Sequence, residues 1–161
     1  MNHRFRRTES GIQLHLEPTE YTVLERVPAL VGSVGADGRD PATLRLDPPV
    51  HPEDDLASAE FSRLAGGEVA QGRSSDAARF ERTLQQGSPA LLTNEDAEAW
   101  VRTLGTARVA IVARSGHVHD DESFAAADRR DPNLLLVDYL GGLQEELVLV
   151  LLADVPGGPT S

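Results

Sequence analysis

The most strongly patterned stretch of the chain is DPNLLLVDYLGGLQEELVLVLLA, residues 131–153. Leu136, Leu140, Leu143, Leu147 and Val150 recur at intervals of four, three, four and three, which puts them on one stripe of a helix. Asp138, Gly141, Gly142, Glu145 and Glu146 fall on the opposite side in the first half. From Leu147 to Leu152 no polar face remains. A helix apolar all round is one that other elements, or a second copy of the chain, enclose. Burying about ten such side chains gains roughly 15–30 kcal/mol, and ordering ~20 residues costs a similar amount, so this helix needs partners. The pattern predicts a mainly α, single-domain helical bundle over residues 1–153, built around this C-terminal apolar helix, with 154–161 as a disordered tail.

The rest of the chain supplies the elements to pack around it. Residues 3–16 contain two short runs about Glu9-Ser10-Gly11, and Phe5, Ile12, Leu14 and Leu16 fit the inner face of a short N-terminal β-hairpin. Pro18-Thr19-Glu20 starts a helix whose stripe is Val23, Leu24, Val27, Leu30 and Val31, and Pro28 should kink it or end it early. Seven Gly and Pro residues between Gly32 and Pro52 read as a surface linker over 32–52. Glu53, Asp54 and Asp55 then suit a helix start, with Ala57, Phe61 and Leu64 inward and Gly66-Gly67 as its stop. A further short helix is predicted over 75–86, with Ala77, Phe80 and Leu84 inward and Gly87 as terminator. Thr93 and Asp96 resemble a capping box for a helix carrying Trp100, Leu104 and Ile111 on one side, flanked by Ala97, Val101 and Val112.

Charge and composition narrow the function classes. The 161 residues amount to one domain's worth, and the 4% aromatic share leaves a core of Leu, Val and Ala. The net charge is −11, and all fifteen basic residues are arginine. That acidity argues against broad nucleic-acid binding, because phosphate repulsion must be overcome locally. Arg4, Arg6 and Arg7 give the N-terminal end a local positive charge, either an anchor for an acidic partner or nucleic acid, or a solvated strand face. Arg102, Arg108 and Arg114 lie six apart, which spreads them over three faces rather than one basic stripe. No Cys is present, which removes disulfides, thiolate catalysis and zinc–thiolate sites. No apolar segment follows the early arginines, and the run Leu147–Ala153 is far short of the ~20 residues of a membrane helix, so a cytoplasmic protein is expected.

Candidate chemistry is sparse. His117-Val-His119 followed by Asp120, Asp121 and Glu122 is the one metal-like cluster, but no Cys or third His joins it and the acids suit a helix start equally. Ser115 and Ser123 lie in a loop without a nucleophile-elbow sequence. The glycines after Gly32 follow no strand and precede no Lys-Ser/Thr, so they make no phosphate loop. No catalytic, cofactor-binding or metal-ligating residue is assigned, and no cofactor is expected.

Three stretches carry a family resemblance: PPVHPEDDLASAEFSRL (48–64), LTNEDAEAWVRTLGTARVAIVAR (92–114) and LLLVDYLGGLQEELVLVLL (134–152). Together they resemble the actinobacterial domain-of-unknown-function family that includes the oxidative-stress-responsive regulator AosR. The resemblance implies a mainly helical cytoplasmic protein without enzymatic activity, with some relatives acting as transcriptional regulators alongside a sigma factor. Two departures stand out. Gly105-Thr106 replaces the Asn-Asp usual in the family helix, and the cysteine pair of the redox-sensing relative is missing. The expected function is a regulatory or adaptor protein acting by protein–protein contact, with a sigma factor or other transcription machinery as partner and without a thiol switch. Direct DNA binding through an Arg patch is the alternative, and a metal protein at His117 and His119 a more remote one. Leu149 and Leu152 point away from the main stripe, and either a homodimer or the neighbouring helices would cover them.

Overall fold

A computed structural model describes residues 3–46, 67–115 and 131–153. The described chain is mainly helical, with a small three-stranded antiparallel sheet. Strands β1 (Phe5–Thr8) and β2 (Gly11–Leu14) form the predicted hairpin, paired from Phe5↔Leu14 to Thr8↔Gly11. The alternation works as the sequence indicates: Phe5, Ile12 and Leu14 are buried, and Leu16 closes the same side. Gly11 has φ +142°, and a Cβ built on it would lie 2.6 Å from the Leu92 carbonyl oxygen. Conformation and space both demand glycine there.

Helix α1 (Pro18–Leu24) begins with a reciprocal box between Glu17 and Glu20. Pro28 does not kink a continuing helix; it sits in the first turn of a separate helix, α2 (Val27–Gly32). A proline ring would clash with the carbonyl four residues back, so the chain ends one helix at Leu24 and restarts with the proline where its missing N–H costs nothing. The stretch 32–52, read as a linker, contains helix α3 (Pro41–Leu46). Asp40 caps it by accepting from the Ala42 N–H at 3.0 Å, and Ala42 is fully buried. Six residues with two small buried side chains, Ala42 and Thr43, leave no periodicity to read, which is why the helix is hidden among the glycines and prolines.

Helix α4 (Gly67–Leu84) starts well before residue 75, with Gly67 as its first residue. The helix predicted after Glu53 lies outside the described residues. Strand β3 (Ala90–Leu92) was not anticipated; it pairs antiparallel with β2, Ile12↔Leu92 and Leu14↔Ala90, making β2 the central strand. Helix α5 (Asn94–Arg114) is capped as predicted: Thr93 Oγ1 accepts from the Asp96 N–H at 3.0 Å, and Asp96 Oδ2 accepts from the Thr93 N–H at 2.9 Å. Helix α6 (Pro132–Leu152) is capped by Asp131, whose Oδ1 accepts from the Asn133 N–H at 2.9 Å. Its buried stripe is Leu134, Val137, Leu140, Leu143 and Leu147, with Leu136 and Val150 half-buried at the margins.

Among the described elements the centre is α5, not the C-terminal helix. Helices α2, α3, α4 and α6 all pack on α5, and β2 and β3 touch it, whereas α6 packs mainly on α5 and on β1. The reason is steric. Ala97, Ala99, Ala107 and Ala110 are buried on several sides of α5, and such small side chains let neighbours approach from many directions. Trp100 is fully buried between Phe80, at 4.2 Å between ring centroids, and Phe5, edge-on at 6.0 Å. Its Nε1–H donates to Thr83 Oγ1 at 2.6 Å.

Two substitutions test this core. Thr83→Val leaves the buried indole N–H without an acceptor and should cost about 1–3 kcal/mol. Gly11→Ala should cost a similar amount, about 1–3 kcal/mol, through backbone strain. Urea midpoints read both, and an unchanged slope confirms that stability alone has moved.

Candidate interaction surface

The three early arginines do not form one basic face. Arg4 turns inward, where its Nε donates to Glu20 Oε1, its Nη1 lies 3.8 Å from Glu146 Oε2, and its guanidinium stands 5.6 Å over the Tyr139 ring. Glu146, from α6, accepts from two backbone N–H groups of the hairpin, Arg4 at 2.7 Å and Phe5 at 3.2 Å. The cluster therefore ties β1 to α1 and α6.

The electrostatics of this cluster are those of a fastening. Burial works against the Glu20 charge, but the Glu17 N–H and the Arg4 guanidinium outweigh it and hold the carboxyl below its ordinary 4.5. The bond from Glu20 raises the Arg4 pKa further. Burial, and then the neighbouring Glu20 charge, push the Tyr139 phenol well above its usual range, so it stays neutral. The Arg4 guanidinium thus faces two carboxylates, Glu20 and Glu146.

Arg6 is exposed, whereas Arg7 is half-buried with its Nε and Nη2 enclosed. Arg6 Nη2 donates to Gln13 Oε1 at 3.0 Å across the strand pair, and Arg7 Nη1 donates to Asn94 Oδ1 at 2.8 Å. With His3, Phe5, His15 and Val150 they line a shallow groove between the hairpin and the end of α6. Leu149 and Leu152, chain neighbours of Val150, are 61% and 60% exposed, so none of the described elements covers them. The site thus joins basic side chains to apolar ones. Sequence reasoning flagged Arg6, Arg7, Leu149 and Leu152 separately but had no signal that the hairpin and the end of α6 are adjacent; that adjacency comes through Glu146.

The three arginines of α5 serve packing. Arg102 grips Asp76 of α4 through two bonds of 2.8 and 2.9 Å, Arg108 donates to Gln144 of α6 at 2.8 Å, and Arg114 bonds both Asp40, at 2.6 Å, and Ser33, at 2.9 Å. The three faces expected from their spacing meet three different elements. Gly105 has a packing role: a Cβ there would lie 2.9 Å from Gln144 Nε2, which donates to the Val101 carbonyl at 3.0 Å. An amide from α6 fills the space opposite this position. Ser115 closes α5, its hydroxyl donating to the Val112 carbonyl at 2.7 Å. His117, His119 and Ser123 lie outside the described residues. Among the described residues no three metal-ligating side chains converge, and no helix is long and apolar enough to cross a membrane.

Fold and surface define a mainly helical protein with a small antiparallel sheet and a mixed basic and apolar groove where the two meet. The chain belongs to the DUF2017 family, a domain of unknown function, whose model matches residues 2–151. No curated protein and no solved structure matches it.

Acid unfolding tests the fastening. Because the Glu20 pKa is lowered on folding, its contribution to stability is complete above pH 4.5 and is lost as pH falls through the lower folded value. Glu20→Gln should therefore destabilise most near neutral pH, and the gap to the parent protein should narrow in acid, read as urea midpoints across a pH series.

Proposed function

We propose that the protein is a non-enzymatic regulator or adaptor of the cytoplasm that acts by contact with another protein, akin to AosR-like oxidative-stress regulators. With no cysteine in the chain, it works without a thiol switch. The partner proposed is a sigma factor or another component of the transcription machinery. The observation that supports this reading is the pair Leu149 and Leu152, exposed at the C-terminal end of α6 and close in the chain to the groove residue Val150. A leucine left in water forgoes about 1.5–3 kcal/mol of burial, which a protein contact recovers. Direct DNA binding is the weaker reading, because Arg4 is committed to Glu20 and Glu146 and the chain as a whole repels phosphate.

The test is capture from native cells, with and without oxidant, using the full chain and a Leu149→Asp/Leu152→Asp variant of unchanged helical content. A sigma factor or polymerase subunit should be recovered at about tenfold lower yield on the variant, the loss that ~1.4 kcal/mol of contact energy produces. Equal recovery on both baits overturns the reading.

A further inference from the structure

Helix α6 carries a second stripe besides the one it buries. Leu135, Asp138, Gly142, Glu145, Leu149 and Leu152 are all exposed and recur at intervals of three, four, three, four and three. At about 100° per residue they fall on one face, with the spacing of a seam between two helices. Leucine stands at both ends, 53% exposed at Leu135, 61% at Leu149 and 60% at Leu152. Two acids flank a glycine between them, and neither Asp138 nor Glu145 meets a cation among the described residues. Arg108, whose guanidinium carbon lies 3.1 Å from the place of a Gly141 Cβ at the flank of this face, donates to Gln144 instead. The glycines of the two helices differ in a related way. Gly105 faces Gln144 and Gly141 faces Arg108, whereas a Cβ on Gly142 would meet nothing within 4 Å. A glycine inside a helix weakens it, and at Gly142 no described element comes close enough to use the missing side chain.

We propose that this face seats a helix of a partner protein that is basic at its middle and apolar towards both ends. The proposal rests on the protein-contact reading above and adds the seat and the chemistry of the partner. Leu135 and Leu152 are about 25 Å apart along the axis, so an occupant that covers both ends is a helix of about five turns. Its apolar residues recur at three and four, as in other helices that lie along an apolar face. Charge then selects its middle. Asp138 and Glu145 lie one turn to either side of Gly142, and an arginine or lysine on the incoming helix answers each, while the net charge of −11 draws such a helix in. A second copy of the chain does the opposite. Paired parallel, each acid meets itself; paired antiparallel about Gly142, Asp138 of one copy meets Glu145 of the other. Nucleic acid is repelled by the same carboxylates and leaves the leucines uncovered. The stretches of this chain outside the described residues match no better in charge, since 47–66 carries five acids against one arginine and 116–130 four against two. Gly142 lets the backbone of the occupant come close at the point between the acids.

The experiment is selection from a phage-displayed library of helical peptides of about five turns against the full chain, with titration of one enriched peptide by fluorescence anisotropy. Enriched sequences should carry arginine or lysine between two groups of Leu, Ile or Phe. Gly142→Trp, at an open position, should weaken the peptide about tenfold or more by blocking its approach, with helical content unchanged, and Leu135→Asp should do the same from the far end. Asp138→Arg/Glu145→Arg should weaken it as much and should admit a peptide whose basic residues are replaced by glutamate. Arg82→Glu on α4 should leave binding unchanged. Acidic or uncharged enriched peptides, no enrichment, or indifference to Gly142→Trp or to the charge reversal overturns the proposal. So does tighter binding of random duplex DNA than of the peptide, or a dimer in sedimentation that Gly142→Trp dissolves. A photo-crosslinker in place of Gly142 that joins residues 47–66 or 116–130 of its own chain overturns it too, since the face is then already occupied. Should the Leu149→Asp/Leu152→Asp bait lose the native partner while Gly142→Trp and Leu135→Asp keep it, the protein-contact reading stands and the seat on α6 alone falls.

Discussion

Trp100 reaches from the middle of α5 into the space between α4 and the hairpin, and its placement constrains the spacing of all three. The indole is fully buried, with Phe80 across one face and Phe5 at its edge. A large flat ring excludes water only where neighbours close on both sides, so the hairpin and α4 cannot move independently of it. Its single N–H adds a directional demand, since an unpaired buried donor costs about 1–3 kcal/mol. Thr83 meets that demand from α4, and its own hydroxyl is oriented by the Arg79 and Phe80 carbonyls one turn earlier. One residue thereby sets both the distance and the rotation of α4 against α5.

Around this apolar point the structure is fastened by polar contacts that join elements distant in the chain. Glu146 is 142 residues from Arg4, and Arg114 is 74 from Asp40. Glu146 does two things at once: it fixes the hairpin against α6, and it occupies an outward-facing N–H of an edge strand. An edge left open invites pairing with other chains, and a half-buried carboxylate on a helix blocks it at this N–H. The same carboxylate brings Arg6 and Arg7 of the hairpin beside Val150 of α6, so the geometry of the groove follows from a structural contact.

How much of this was legible in the sequence depended on the size of the side chains involved. The α6 stripe was plain because leucine at spacings of three and four has no other reading, and the Thr93–Asp96 cap was plain because the box is a local motif. The centrality of α5 was not, because alanine contributes little to an amphipathic pattern while permitting close approach on every side. Strand β3 has three residues and α3 has six, lengths at which periodicity carries no information. Of the candidate surface, the residues were visible and their adjacency was not. Arg4 and Arg6 look alike in the sequence, and only the tertiary partners, Glu20 and Glu146 for one and Gln13 for the other, separate a fastening from an exposed cation.

That separation bears on how an acidic protein can keep an uncancelled positive charge at its surface at all. With net charge −11, arginines scattered at random would mostly find carboxylates, and Arg79, Arg102 and Arg114 do so. Each such pair on the surface contributes little to stability, on the order of 0–1 kcal/mol, but it removes a cation from the exterior field. A guanidinium anchored by an amide keeps its field and is still held in place. The pairings of Arg6 with Gln13 and of Arg108 with Gln144 therefore give orientation without neutralisation.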